Sequence, residues 1–291
     1  MHSPSPPPPA ALTGLARSLV PRRLRNWLRS PRATLLWLRD HGAHAAGLAP
    51  VAQIRPGWRL RCHPLALRTA YRAHLDDPDQ VAELDAFIAA CAPDMVLFDI
   101  GAHFGLFSFA ALHYGGPLAR AVAVDPSPVA VRMTRLVARL NGVEDRVAVL
   151  GAAAGAEEGT LELVDGGVIA AGYYVPADAA HPAGERTRVE EVTVDGLARR
   201  CGCTPTHLKI DVEGAEADVL RGARGTLTGA TRPLVFLELH TAITRRGGGD
   251  PALPLRLLAE GGYAVEGLER PGAEGELLAR DVVRVLARPK P

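Results

Sequence analysis

Lysine is almost missing from this chain: of its 33 basic residues, only Lys209 and Lys290 are not arginine. The skew fits a GC-rich coding background, so it names no partner. Cysteine is equally sparse, and Cys62, Cys91, Cys201 and Cys203 form no Cys-x-x-Cys pair. That spacing lacks the paired knuckles of a zinc site, and the four read as ordinary thiols of a reduced compartment. No apolar run reaches membrane-spanning length, and the opening Met-His-Ser-Pro-Ser-Pro-Pro-Pro-Pro has no signal-peptide core, so the expected location is cytoplasmic. Also absent is Gly-x-Gly-x-x-Gly, which argues against a nucleotide-dependent oxidoreductase.

The 291 residues, 47% of them hydrophobic, suffice for one large α/β domain or for a domain with an appendage. Charge divides them unevenly. Residues 1–72 hold 12 Arg and one acid, Asp40, for a net of +11, while the remainder carries −10. Such an arm can dock on its own acidic domain, the reading preferred here, or contact a membrane surface through Arg22, Arg23, Arg25 and Arg29 beside Trp27. No nucleic-acid partner is expected, and oligomeric state is not legible. Composition divides the chain into a Pro-rich disordered tail (1–14), an Arg-rich helical and hairpin extension (15–77) and a main domain (78–291). In the extension, short helices broken at Pro21 and Pro31 precede a hairpin over 51–62.

From residue 78 onward, strands and helices alternate. A helix over 78–90 leads into a strand at 95–98, and further strands are expected at 121–124, 147–150, 208–210, 234–239, 263–267 and 282–287. Helices fall at 129–140, 215–220 and 253–260, and 159–194 reads as a hairpin or insertion. Alternation of this kind builds a parallel sheet covered by helices on both faces, with ligands at the carboxyl ends of the strands.

The first strand runs into Asp99-Ile100-Gly101-Ala102-His103-Phe104-Gly105. Glycines after a buried strand let a ligand approach exposed backbone N–H groups. An acid ahead of the first glycine repels phosphate and favours a cation. S-adenosylmethionine suits that logic: it has an amino group and a sulfonium, ribose hydroxyls that donate to a carboxylate, and no phosphate. Asp125 ends the second strand about twenty residues on, where an acid binds a ribose hydroxyl pair, and Pro126 stiffens a surface for adenine. Ser127 competes with Asp125 for capping the next helix.

Two further strand ends carry acids. Asp211 and Glu213 follow the strand at 208–210, and Glu216 reads as an acid complementing the dipole of its own helix. Glu238 and His240 project to one side of the strand at 234–239. If the two strands are neighbours, these groups converge as a general base for a hydroxyl or as donors to a divalent ion, although no spacing is specific to a metal.

Five motifs in order resemble the FkbM-type methyltransferases from about Val96 to Val285: Phe98 to Gly105, Ala123-Val124-Asp125-Pro126-Ser127-Pro128, Val192 to Leu197, Lys209 to Glu216, and Phe236-Leu237-Glu238-Leu239-His240. The resemblance implies a class I, Rossmann-like S-adenosylmethionine-dependent methyltransferase: a doubly wound, mostly parallel seven-stranded sheet whose last strand is antiparallel. It implies O-methylation of a small molecule, sugar or polyketide-like acceptor. The chain departs from the family in His103, where Asn is common, and in Asp125, where Glu is usual.

On this reading Asp99, Gly101, Ala102, His103 and Gly105 hold the methionine end, Asp125 the ribose, and Pro126, Ala152 and Ala153 the adenine; Asp211 borders the donor. His240 or Asp211 takes the acceptor proton, with Glu238 beside them, and the loop at 166–182 covers the acceptor. The alternative from another class is a non-catalytic cofactor-binding or scaffold protein of the same fold.

Overall fold

The computed structural model describes residues 31–165, 174–176, 186–268 and 274–291. The Pro-rich tail, the helices expected before residue 31 and most of the 166–182 loop lie outside the described residues. Helix α1 (Pro31–Ala45) has Pro31 in its first turn, where the missing N–H is not needed. The hairpin β1 (Val51–Arg55) and β2 (Trp58–Arg61) follows, with Ile54, Trp58 and Leu60 turned inward.

Next comes a helical segment that the sequence pattern did not disclose: α2 (Pro64–Ala66), a π-helical turn at Leu67–Tyr71, and α3 (Ala73–Asp76). Asp77 then caps α4 (Pro78–Ala90) by accepting the N–H groups of Asp79 and Gln80.

The main sheet begins with β3 (Val96–Ile100), α5 (Leu106–Tyr114), β4 (Arg120–Val124), α6 (Pro128–Leu140) and β5 (Val147–Leu150). A smaller sheet then interrupts it: β6 (Ala152–Ala154), β7 (Gly159–Asp165), β8 (Tyr174–Pro176) and β9 (Arg186–Val192). The expected hairpin is the antiparallel β7–β9 pair. The chain returns through α7 (Val194–Cys201), β10 (His207–Ile210), α8 (Glu216–Arg221), α9 (Arg224–Thr228), β11 (Leu234–Leu239), α10 (Thr241–Arg246), α11 (Leu253–Glu260), β12 (Tyr263–Gly267), α12 (Glu274–Leu278) and β13 (Val283–Pro289).

The seven main strands lie in the order β12-β13-β11-β10-β3-β4-β5, and only β13 runs antiparallel to its neighbours. The fold is therefore the expected α/β class I methyltransferase arrangement. Strand order reverses at β3, whose neighbours are β4 and β10, so the crevice at the carboxyl ends opens between the loops after β3 and β10. Buried apolar groups cover both faces of this sheet. On one face, Ile54, Trp58, Leu60, Leu65 and Tyr71 of the N-terminal segment share a single core with Phe87, Phe104 and Phe107.

Candidate active site

A pocket at the carboxyl ends of the main strands is lined by Gly101, His103, Asp125, Pro126, Ala152, Ala153, Asp211, Glu213, Glu238 and His240, among others. Most of the expected site residues meet there. Asp99, Ala102 and Gly105 do not reach its wall. The Asp99 carboxylate is buried, pushed up by that burial to about 6, and accepts both the N–H and the hydroxyl of Ser108, at 3.0 and 2.6 Å. It thus caps α5, whose N-cap Gly105 has no side chain to do so.

Gly105 itself is required by packing, since at φ +74° an added Cβ would stand 2.7 Å from Thr134 Cγ2. Gly101 is more constrained: at φ +78° its Cβ would collide with the Asp211 carbonyl, which welds the β3 and β10 loops together.

The expectation of exposed loop N–H groups is corrected. The amides of Gly101 and Ala102 both donate to the Val124 carbonyl, at 2.9 and 3.0 Å, and that of His103 donates to Asp125 Oδ2 at 2.8 Å. Gly105 N–H closes onto Ala102 at 2.7 Å. A loop with its donors spent internally offers nothing to a pyrophosphate. His103 takes φ +48° and stacks its ring on Phe104 at 4.1 Å.

Asp125 accepts from two amides, His103 through Oδ2 and Ser127 through Oδ1, each at 2.8 Å. Each oxygen retains a lone pair for a hydroxyl. Burial pushes its carboxyl up to about 7, against those two bonds. Ser127 takes the helix cap, accepting from Ala130 N–H, so Asp125 is not committed to α6. Ala152 and Ala153 lie on β6, a short strand beyond β5 that pairs alongside β9.

The adjacency of β10 and β11 brings the acids together around His240. Its Nε2 lies 3.7 Å from Asp211, 3.5 Å from Glu213 and 3.7 Å from Glu238. Its Nδ1 bonds to Glu216 Oε1 at 2.8 Å. Glu216 is therefore no mere dipole acid: it is buried, and the same oxygen accepts Gly214 N–H at 2.9 Å.

Although burial disfavours the charge, the Glu216 bond and the negative charges of Asp211 and Glu213 raise His240 to about 9. These carboxylates favour the imidazolium, which donates, over the neutral ring that the expected proton-acceptor role of His240 requires. Asp211, Glu213 and His240 present one donor atom each within 4.8 Å of one another, a set able to take a divalent ion once Nε2 loses its proton. Glu213 reaches this position from φ +53°.

Two groups of residues escaped the sequence reading. Thr69, Ala70, Ala73 and His74, from ahead of the main domain, and Gln80 of α4 supply another part of the wall. Nothing in a polar helical stretch marks it as pocket-facing. Behind the cluster, buried Lys209 pairs with Glu83 at 2.9 Å, and Arg284 holds Glu238 through two bonds of 3.0 Å. Burial together with Asp211 and Glu83 pushes the Glu238 carboxyl up, against the pull of Lys209 and Arg284. The signal available for Lys209 was its place between Leu208 and Ile210 in a chain that otherwise uses arginine.

Sheet order and pocket together define a class I methyltransferase. The family described as the methyltransferase FkbM domain matches residues 99–265, more than half of the chain. The chain belongs to the FkbM methyltransferase family. No curated protein matches it.

Similar solved structures include precorrin-6y C5,15-methyltransferase from Geobacter metallireducens, at 15% identity over 71% of this chain and 86% of that one, with a TM-score of 0.41. Aeropyrum pernix fibrillarin with natively bound S-adenosyl-L-methionine matches at 15% identity over 82% of both chains, TM-score 0.41. P. horikoshii TYW2 in complex with MeSAdo matches at 14% over 82% of this chain and 69% of that one, TM-score 0.39.

Proposed function

We propose that this methyltransferase moves a methyl group from S-adenosylmethionine to a hydroxyl of a small molecule, a sugar or polyketide-like acceptor. One observation carries the reading: the described pocket wall holds four acids, Asp125, Asp211, Glu213 and Glu238, beside His240, and neither lysine nor arginine. Such a wall attracts a cationic donor and repels phosphate, which also favours a small acceptor over a nucleic acid. When bound, S-adenosylmethionine supplies an electrophilic methyl on a sulfonium.

The chain's own residues divide the work. Asp125 receives the ribose hydroxyls, Pro126, Ala152 and Ala153 flank the adenine, and Gly101 and His103 border the methionine end. Asp99, Ala102 and Gly105 shape that loop from behind. Asp211 and Glu238 hold the acceptor hydroxyl, with the His240 imidazolium fixing the carboxylates around it. Most of the rate then comes from positioning and proton removal. No described helix is long and apolar enough to cross a membrane.

Calorimetry with S-adenosylmethionine and S-adenosylhomocysteine, followed by labelled-methyl transfer to a panel of hydroxyl acceptors, tests the reading. Binding with transfer, lost in Asp211→Asn while donor affinity persists, is expected. Binding without transfer to any acceptor would instead favour a non-catalytic protein.

A further inference from the structure

We propose that His74, in the segment ahead of the family-matched region, is the catalytic residue that takes the acceptor's proton. The inference rests on the O-methyl-transfer reading above and assigns its base. His74 lines the same pocket as Asp125, Asp211 and His240. It arrives there by an irregularity. The π-helical turn, closed by Arg72 N–H donating to the Leu67 carbonyl at 3.1 Å, is followed by α3, so Thr69, Ala70, Ala73 and His74 all face the pocket. Single π turns inside helices mark functional positions often enough to deserve a chemical explanation.

The tautomer of His74 follows from its partner. Nδ1 lies 3.3 Å from the Ala70 carbonyl, and a carbonyl can only accept, so Nδ1 carries the hydrogen. In the neutral ring, the lone pair is then on Nε2. The charged groups around the ring are Glu83 of α4, Lys209 of β10 and Asp211 just beyond that strand, with Arg55 bonded at 3.2 Å to the His74 backbone carbonyl. Phe107 of α5 covers the ring edge-on at 5.6 Å. Burial dominates these charges and holds His74 below the usual 6.5, in the form that accepts a proton.

The contrast with His240 decides between the two imidazoles. His240 spends Nδ1 on Glu216 and turns Nε2 toward Asp211, Glu213 and Glu238, whereas His74 has one carbonyl partner and an apolar ring beside it. In the step itself, the acceptor oxygen bonds to the methyl carbon as the carbon–sulfur bond breaks. That bond's electron pair goes to sulfur, leaving a neutral thioether, and the hydroxyl proton passes to His74 Nε2 and then to solvent.

The position is braced for this work. Tyr71, three residues earlier, donates its buried hydroxyl to the Phe104 carbonyl at 2.8 Å, fastening the segment to the loop after β3. Arg55 also donates to the Ile54 and Val81 carbonyls, at 2.7 and 3.2 Å, and pairs with Asp85.

Two measurements on the full chain test the assignment: spectra with S-adenosylhomocysteine bound, and methyl transfer from S-adenosylmethionine. In long-range proton–nitrogen spectra of the ¹⁵N-histidine protein, the resonance lost in His74→Gln should be a neutral ring at pH 7, protonated at Nδ1, with a midpoint below 6.5. A ring charged at pH 7, or protonated at Nε2, overturns the proposal. In labelled-methyl transfer, His74→Gln should lower kcat by about 10²–10⁴-fold and remove the acid limb of the pH profile, with affinity for S-adenosylhomocysteine unchanged. A variant as active as the wild type overturns the proposal and leaves the methyl-transfer reading standing. A wild type that binds donor but methylates no hydroxyl overturns that reading, and this assignment with it.

Discussion

Asp125 and His240 are two titrating groups whose environments both favour the protonated form, for opposite reasons. Asp125 is raised by burial to about 7 from 3.8, and His240 is raised by surrounding carboxylates to about 9 from 6.5. A group whose folded pKa exceeds its unfolded one contributes stability that is complete below the unfolded value and lost as pH climbs through the folded value. The ligand-free protein should therefore lose stability between pH 3.8 and 7 through Asp125, and between 6.5 and 9 through His240. Urea titrations across pH check this: Asp125→Asn should flatten the lower window and His240→Gln the upper one. On the ribose-binding role proposed for Asp125, affinity for S-adenosylmethionine should weaken below pH 7 in the wild type. In Asp125→Asn it should be pH-independent and about tenfold poorer.

At the scale of elements, the Lys209 network explains how β10, β11, β13 and α4 keep the carboxylates in place. Lys209 ties β10 to Glu83 on α4, and Arg284 of β13 holds Glu238 of β11 while approaching Glu83 at 3.3 Å. Removing the lysine leaves buried acids uncompensated. Lys209→Met should cost ~3–5 kcal/mol in urea unfolding, and adding Glu83→Met should recover part of the loss, because a buried pair is worth little against apolar packing. Full stability in the single variant would show that Arg284 alone neutralises both acids. Regular elements were legible from periodicity: α4, β5, β11, α11 and β12 match the expected bounds. The π-helical turn, α10 and β6 were not, since each is set by a neighbour and has no periodic signature of its own.

For the whole molecule, the question is where the folding unit begins. Composition places a boundary at residue 77, yet Ile54, Trp58, Leu60, Leu65 and Tyr71 pack into one core with Phe87, Phe104 and Phe107. A fragment of residues 78–291 would expose that face and lose the pocket wall at Thr69 to His74. It should show little near-ultraviolet ellipticity and no calorimetric binding of S-adenosylhomocysteine. A fragment that unfolds cooperatively with undiminished affinity would place the boundary where composition does.

Local chemistry was enough to read the alternation of elements, the acid before Gly101, the pocket-lining Asp125 after β4 and the acids at the ends of β10 and β11. These signals are carried by neighbouring residues, because strand ends, caps and side-chain alternation are short-range. Only the tertiary structure decided that Glu216 charges His240, that loop amides are spent on Val124 and Asp125, and that His74 shares the pocket. Ionisation state and hydrogen-bond partnership depend on what lies within a few ångströms, and for these residues the deciding neighbours are 22 to more than 100 positions away in the chain.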